Sequence, residues 1–128
     1  MKLRITSRIC KLMDIGNRNT LFGGQMLAWL DEAAALYAME ITQCNDLVTY
    51  RLAETVFKHP VRHNDILHFY GDAPRMGRCS LTFQLYVMVN DEMCLHTECT
   101  FVRIDENGQK TPIDWSKSRL VSDSGTMQ

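Results

Sequence analysis

Leu81, Phe83, Leu85, Val87 and Val89 alternate with Thr82, Gln84, Tyr86 and Met88, the clearest strand pattern in the chain. Shorter alternations surround it. Leu3, Ile5, Ser7 and Ile9 predict a first strand, and Val48, Tyr50 and Leu52 open a second that runs on to Phe57 and stops at His59-Pro60. Ile66 to Ala73 predicts a third, closed by a break over Pro74 to Arg78. Asn90-Asp91-Glu92 predicts a hairpin turn leading into a strand from Met93 to Ile104, which ends at Asp105-Glu106-Asn107-Gly108. Strands joined by such short links pair antiparallel.

Only one stretch carries a helical period. At roughly 100° per residue, Met26, Leu27, Leu30, Ala33, Ala34, Tyr37 and Ile41 share a face, while Gln25, Glu32 and Gln43 lie opposite. The predicted helix runs from Gly24 to Ile41, about 27 Å at 1.5 Å per residue. One helix on an antiparallel sheet is an α+β architecture. The polar, Ser-rich end from Asp114 is expected to hang loose, which gives a single domain over 1–112 and a polar tail over 113–128.

Asp31 sits on the boundary of the apolar face, beside Ala35 and Ala38. A charge at the edge of a core helix is costly unless it is paired or used. The small neighbours leave room for a substrate or a partner backbone. Gly23 and Gly24 open the helix and present backbone N–H groups at the positive end of its dipole, where a carbonyl oxygen gaining charge is stabilised. A plainer reading also fits: a tight glycine turn followed by ordinary acids early in a helix. Glu32 points away from Asp31 and reads as structural or as an interface residue.

Composition narrows the function. The chain has 128 residues, 45% of them hydrophobic, with 14 Lys and Arg against 15 Asp and Glu. That near-neutral balance argues against nucleic-acid and membrane-surface partners. The first eight residues are too polar for a signal peptide, so the cytoplasm is expected. The five cysteines have no CxxC spacing and the four histidines no HExxH spacing. Neither a metal site, nor a disulfide framework, nor a cofactor is expected. Basic residues gather in two places: Arg75 and Arg78 flank Gly77, and Lys58, His59, Arg62 and His63 lie around one turn. Trp29, Tyr37 and Phe57 read as core or as walls of an apolar tunnel, and the eight methionines suit an adaptable pocket.

Four motifs in order carry a resemblance. They are Asp14 with Thr20-Leu21-Phe22-Gly23-Gly24 and Trp29-Leu30-Asp31-Glu32-Ala33-Ala34; Val48-Thr49 with Phe57-Lys58-His59-Pro60-Val61; Gly77-Arg78-Cys79-Ser80-Leu81; and Phe101 to Gly108. From Asp14 to Pro112 the chain resembles the hot-dog acyl-CoA thioesterases, in particular the bacterial group related to the brain-type acyl-CoA hydrolase. The resemblance implies a hot-dog fold, one long helix wrapped by the sheet. It implies that Asp31 is the catalytic aspartate, as general base or nucleophile, and that the Gly24 N–H polarises the thioester carbonyl. It also implies that the turn carrying Arg78 and Ser80 contacts CoA, with Gly23, Asn19, Arg75 and Phe57 further contacts. It implies a homodimer at least, assembled as a hexamer from three dimers, with sites at the dimer interface. The chain departs from the pattern where Gly16 stands for the usual Asn and Asn19 for the usual Gly. Asn17 or Asn19 could stand in for that Asn if the loop is rearranged. Three other readings are a non-catalytic acyl-CoA-binding module, a thioesterase for acyl-carrier-protein substrates, and a dehydratase. The last wants a His ahead of the helix, and none precedes His59.

Overall fold

A computed structural model of the chain describes residues 2–121. Six strands and one long helix follow in the order β1 (Leu3–Ile9), α1 (Gly23–Thr42), β2 (Leu47–Leu52), β3 (Val56–Phe57), β4 (Ile66–Met76), β5 (Ser80–Val89) and β6 (Glu92–Arg103). Every strand pairing is antiparallel, and the order across the sheet is β1-β4-β5-β6-β2, with β3 also on β6. The helix lies on one face of this sheet, the expected hot-dog plan.

The alternation in β5 translates directly into burial. Leu81, Phe83, Leu85, Val87 and Val89 are buried towards the helix, and their neighbours are half-buried on the outer face. Asn90 and Asp91 both take positive φ, 52° and 65°. That backbone gives the two-residue turn whose twist matches the strands it joins.

Met26, Trp29, Leu30, Ala33, Ala34, Tyr37, Ala38, Ile41 and Thr42 form the buried face of α1. The Tyr37 ring packs on Phe83 with centroids 4.7 Å apart, and Phe83 continues to Phe101 at 6.0 Å. Tyr37 also covers Gly71 of β4, where a Cβ would come within 2.3 Å of its ring. A glycine is therefore required at that point for the helix to sit on the sheet.

The structure departs from the sequence-based expectations at Leu27, at the end of β2 and in β4. Leu27 is 42% exposed, because it lies at the margin of the apolar face on the Asp31 side, where the sheet ends. Trp29 is buried instead, with the Arg8 guanidinium over its ring at 5.5 Å and paired to Glu32. The strand expected from Val48 to Phe57 is two strands, since Ala53 to Thr55 leave the ladder. Pro74 does not break β4, which passes through a bulge between Asp72 and Arg75 with Ala73 at φ 51°.

The segment after Ile113 does not hang loose through Val121. Ile113 and Ser118 are buried, Trp115 and Leu120 pack against the core, and the Trp115 indole N–H donates to the Gly77 carbonyl at 2.7 Å. Apolar residues among serines anchor it. The rest of the expected tail, 122–128, lies outside the described residues.

Candidate active site

The motif ahead of the helix works first as scaffolding. The buried Asp14 carboxylate accepts the Lys11 N–H at 2.9 Å, and its carbonyl accepts the Phe22 N–H at 2.9 Å. The Gly16 N–H donates to Thr20 at 2.7 Å, and the Leu21 N–H donates to the Val61 carbonyl at 2.7 Å. These bonds fix the direction in which the chain enters α1. Asn19, standing where the family pattern has Gly, takes that left-handed backbone at φ 57°, which Asn tolerates better than most residues. At Gly16 a Cβ would sit 3.3 Å from Phe22 atoms, so the Phe22 ring crowds the place of the usual Asn side chain.

Phe22 caps the helix without a side-chain hydrogen bond. The first N–H groups to find a carbonyl are those of Gln25 and Met26, both donating to Phe22. The N–H groups of Gly23 and Gly24 have no partner among the described residues. They are the unsatisfied donors at the positive helix end.

Asp31 is half-buried, and its Oδ1 accepts a hydrogen bond from the Thr49 hydroxyl of β2 at 2.7 Å. Thr49 faces the helix because it pairs with the inward Phe101 of β6. Behind them, burial and the Asp31 carboxylate push the Cys99 thiol up to about 12, so it stays protonated. Thr49 belongs to the Val48-Thr49 motif, and nothing in its neighbouring sequence marks this role. The contact spans 18 positions, beyond the reach of local periodicity.

Large apolar side chains are exposed on the elements that carry this pair and the helix start: Phe22 and Leu27 at the helix, Val48 and Tyr50 on β2, Val56 and Phe57 on β3. β2 is an edge strand. An open edge flanked by apolar side chains is a surface that natural proteins cover.

Phe57 joins the helix start to a cavity of about 290 Å³. Its ring lies where a Cβ on Gly23 would be 3.5 Å away. Other expected contacts sit elsewhere. The Gly77-to-Ser80 turn is near the opposite end of the sheet: Phe57 is level with Val87 through Leu95, about 23 Å from Ser80 at 3.3 Å per residue along β5. That turn is tight, with the Gly77 N–H on the Ser80 carbonyl at 2.7 Å, and a Cβ at Gly77 would meet the Ser80 hydroxyl at 2.3 Å. Arg78 is exposed there. Arg75 lies on the outer face, bound to Glu98 at 3.0 Å. One protomer thus brings together Gly23, Gly24 and Phe57, holds Asp31 further along α1, and keeps Arg75, Arg78 and Ser80 remote. His59 pairs with Glu92 at 3.3 Å. Among the described residues no three His, Cys, Asp or Glu side chains gather as metal ligands, and no helix is long and apolar enough to cross a membrane.

The solved proteins that this fold resembles are thioesterases. The family model of the thioesterase superfamily matches residues 18–103, and the chain belongs to that superfamily. It is 28% identical over 116 residues to an uncharacterized acyl-CoA thioester hydrolase of Bacillus subtilis (strain 168), covering 84% of this chain and 65% of that protein. The chain thus spans somewhat less than two thirds of that relative's length. In structure it resembles a hexameric broad specificity acyl-coenzyme A thioesterase, with TM-score 0.84, 21% identity, and coverage of 97% of this chain and 89% of the other. It also resembles a hexameric hotdog fold thioesterase of Campylobacter jejuni, with TM-score 0.78, 23% identity and 94% of each chain covered.

Proposed function

We propose that the chain hydrolyses acyl-CoA to a carboxylic acid and CoA, with Asp31 as the reacting carboxylate. The observation that carries this reading is the Asp31–Thr49 bond at 2.7 Å on an open apolar edge, in a chain that also leaves the Gly23 and Gly24 N–H groups free. Along one helix Asp31 and Gly24 are about 10 Å apart, too far for one thioester. Two copies joined along the β2 edge, with helices antiparallel, bring the carboxylate of one to the helix start of the other. The dimer is the working unit, and three dimers form the hexamer that the solved relatives form.

The thioester carbonyl oxygen accepts the Gly24 N–H, which stabilises the charge of the tetrahedral intermediate. As a base, Asp31 takes a proton from water while the water oxygen bonds to the carbonyl carbon. Collapse breaks the C–S bond, and the proton passes to the thiolate. As a nucleophile, its oxygen bonds to the carbonyl carbon, releases CoA, and leaves an anhydride that water opens. Asn19 borders the helix start. Arg78 and Ser80 meet the CoA phosphates at the far end of the sheet, and Arg75 joins them on release from Glu98. CoA is part of the substrate, the chemistry needs no further cofactor, and the reaction belongs in the cytoplasm.

The test is thiol release from saturated acyl-CoAs and benzoyl-CoA, with single turnover in oxygen-18 water. Label in the Asp31 carboxylate marks the nucleophile route with water opening the anhydride at the Asp31 carbonyl. Label only in the product acid fits direct attack by water or opening at the acyl carbonyl, and trapping the anhydride with hydroxylamine separates those two. One observation favours a second reading. Gly16 removes a polar side chain from the loop beside the site, as a binding module would allow. That module would bind acyl-CoA, protect the fold against heat, and release no thiol.

A further inference from the structure

We infer that the cavity at the start of α1 receives the acyl chain and that a polar chamber behind it sets an upper limit on chain length. The assignment rests on the thioesterase reading and deepens it. A carbonyl oxygen held at the free N–H groups of the helix start lies beside the cavity mouth, because the Phe57 ring stands 3.5 Å from a Cβ on Gly23 and also lines the cavity, while Phe22 closes the Gly24 side. Beyond that ring the walls are Leu21, Met26, Pro60, Val61 and Cys94. These apolar side chains favour a hydrocarbon tail by about fourfold in affinity per buried methylene. A dry cavity of about 150 Å³ holds a benzene ring, so the roughly 290 Å³ here accommodates on the order of ten carbons.

The end of the pocket differs from its walls. A second cavity of about 170 Å³ shares His59, Pro60 and Cys94 with the first and is otherwise lined by Asp65, Val89, Asn90 and Glu92. His59 and Glu92 are paired across its rim at 3.3 Å. A tail that outgrows the first chamber strips water from these carboxylates and the imidazole while giving nothing back, which is unfavourable. The fourfold gain per methylene therefore stops at the partition. The shared residues His59, Pro60 and Cys94 mark its position, and the His59–Glu92 pair makes crossing it costly.

The experiment measures kcat/KM for saturated acyl-CoAs from acetyl to palmitoyl, on the assembled protein. The wild type should rise about fourfold per methylene to a maximum between octanoyl and decanoyl, then fall. Cys94→Leu thickens the partition and should move the maximum to shorter chains by about two methylenes. The double variant His59→Leu with Glu92→Leu, both exposed positions, should move the fall to longer chains. It decides alone if Cys94→Leu does not fold. A wild-type profile that climbs through to palmitoyl, or maxima unmoved in folded variants, overturns this assignment while leaving the thioesterase reading intact. Absence of turnover on every acyl-CoA by the wild type overturns both.

Discussion

Thr49 is the residue on which the proposed chemistry leans most after Asp31. Its hydroxyl donates to Oδ1 at 2.7 Å, fixing the carboxylate with the other oxygen free for water or a carbonyl. Thr49→Ala should lower kcat about tenfold with KM little changed, and Thr49→Ser should restore most of it. One lost hydrogen bond to a charged group is of that order. Equal loss in Ala and Ser variants would mean that the hydroxyl does not position Asp31. The buried thiols give a separate reading at the same scale. Cys99 ionises at about 12 in the folded chain against 9.0 ordinarily, and burial raises Cys10 and Cys94 too. Below about pH 9 these thiols are neutral whether folded or unfolded. Above it the unfolded chain loses protons first, so the stability they contribute is lost between about pH 9 and pH 12. The melting temperature should fall over that window, and less steeply in Cys99→Ala. A fall of equal slope in that variant would contradict the assignment to Cys99.

At the scale of elements, the sequence is most legible where one period runs long. β5, its hairpin turn and α1 were legible to within a residue or two because their patterns depend on local geometry alone. The β4 bulge was not. Pro74 looks like a stop in isolation, yet Asp72 Oδ1 accepts the Ala73 N–H at 2.8 Å and pairing resumes from Arg75 to Thr82. The split between β2 and β3 is likewise decided by β6, which pairs with both. Gly71 shows the same dependence, since only the packed helix reveals Tyr37 above it. Gly71→Val should destabilise by about 1–3 kcal/mol through overpacking, measured by denaturant unfolding. A change within about 0.5 kcal/mol would mean that helix and sheet are packed more loosely there than the 2.3 Å approach implies.

For the whole molecule, the motifs supply the residues of the proposed site but not their separation. Asp31 and Gly24 lie far apart on one helix, and Arg78 lies near the other end of the sheet from the cavity, because the site as proposed is assembled from two copies. No pattern within one chain contains that distance. Tyr50, exposed on the β2 edge, is remote from the cavity by this account and close to the partner. Tyr50→Asp should shift the assembly towards monomer in light scattering and remove thiol release with it. A monomeric variant that keeps full activity would refute the shared site.

Everything proposed for the site rests on Asp31 as the carboxylate that hydrolyses a thioester. Thiol release from octanoyl-CoA by wild type and Asp31→Asn, with oligomeric state and melting temperature matched, tests it most directly. Steady turnover is expected in the wild type and a loss of about 10²- to 10⁴-fold in the variant. Equal rates in the two proteins, or none in either, would contradict it.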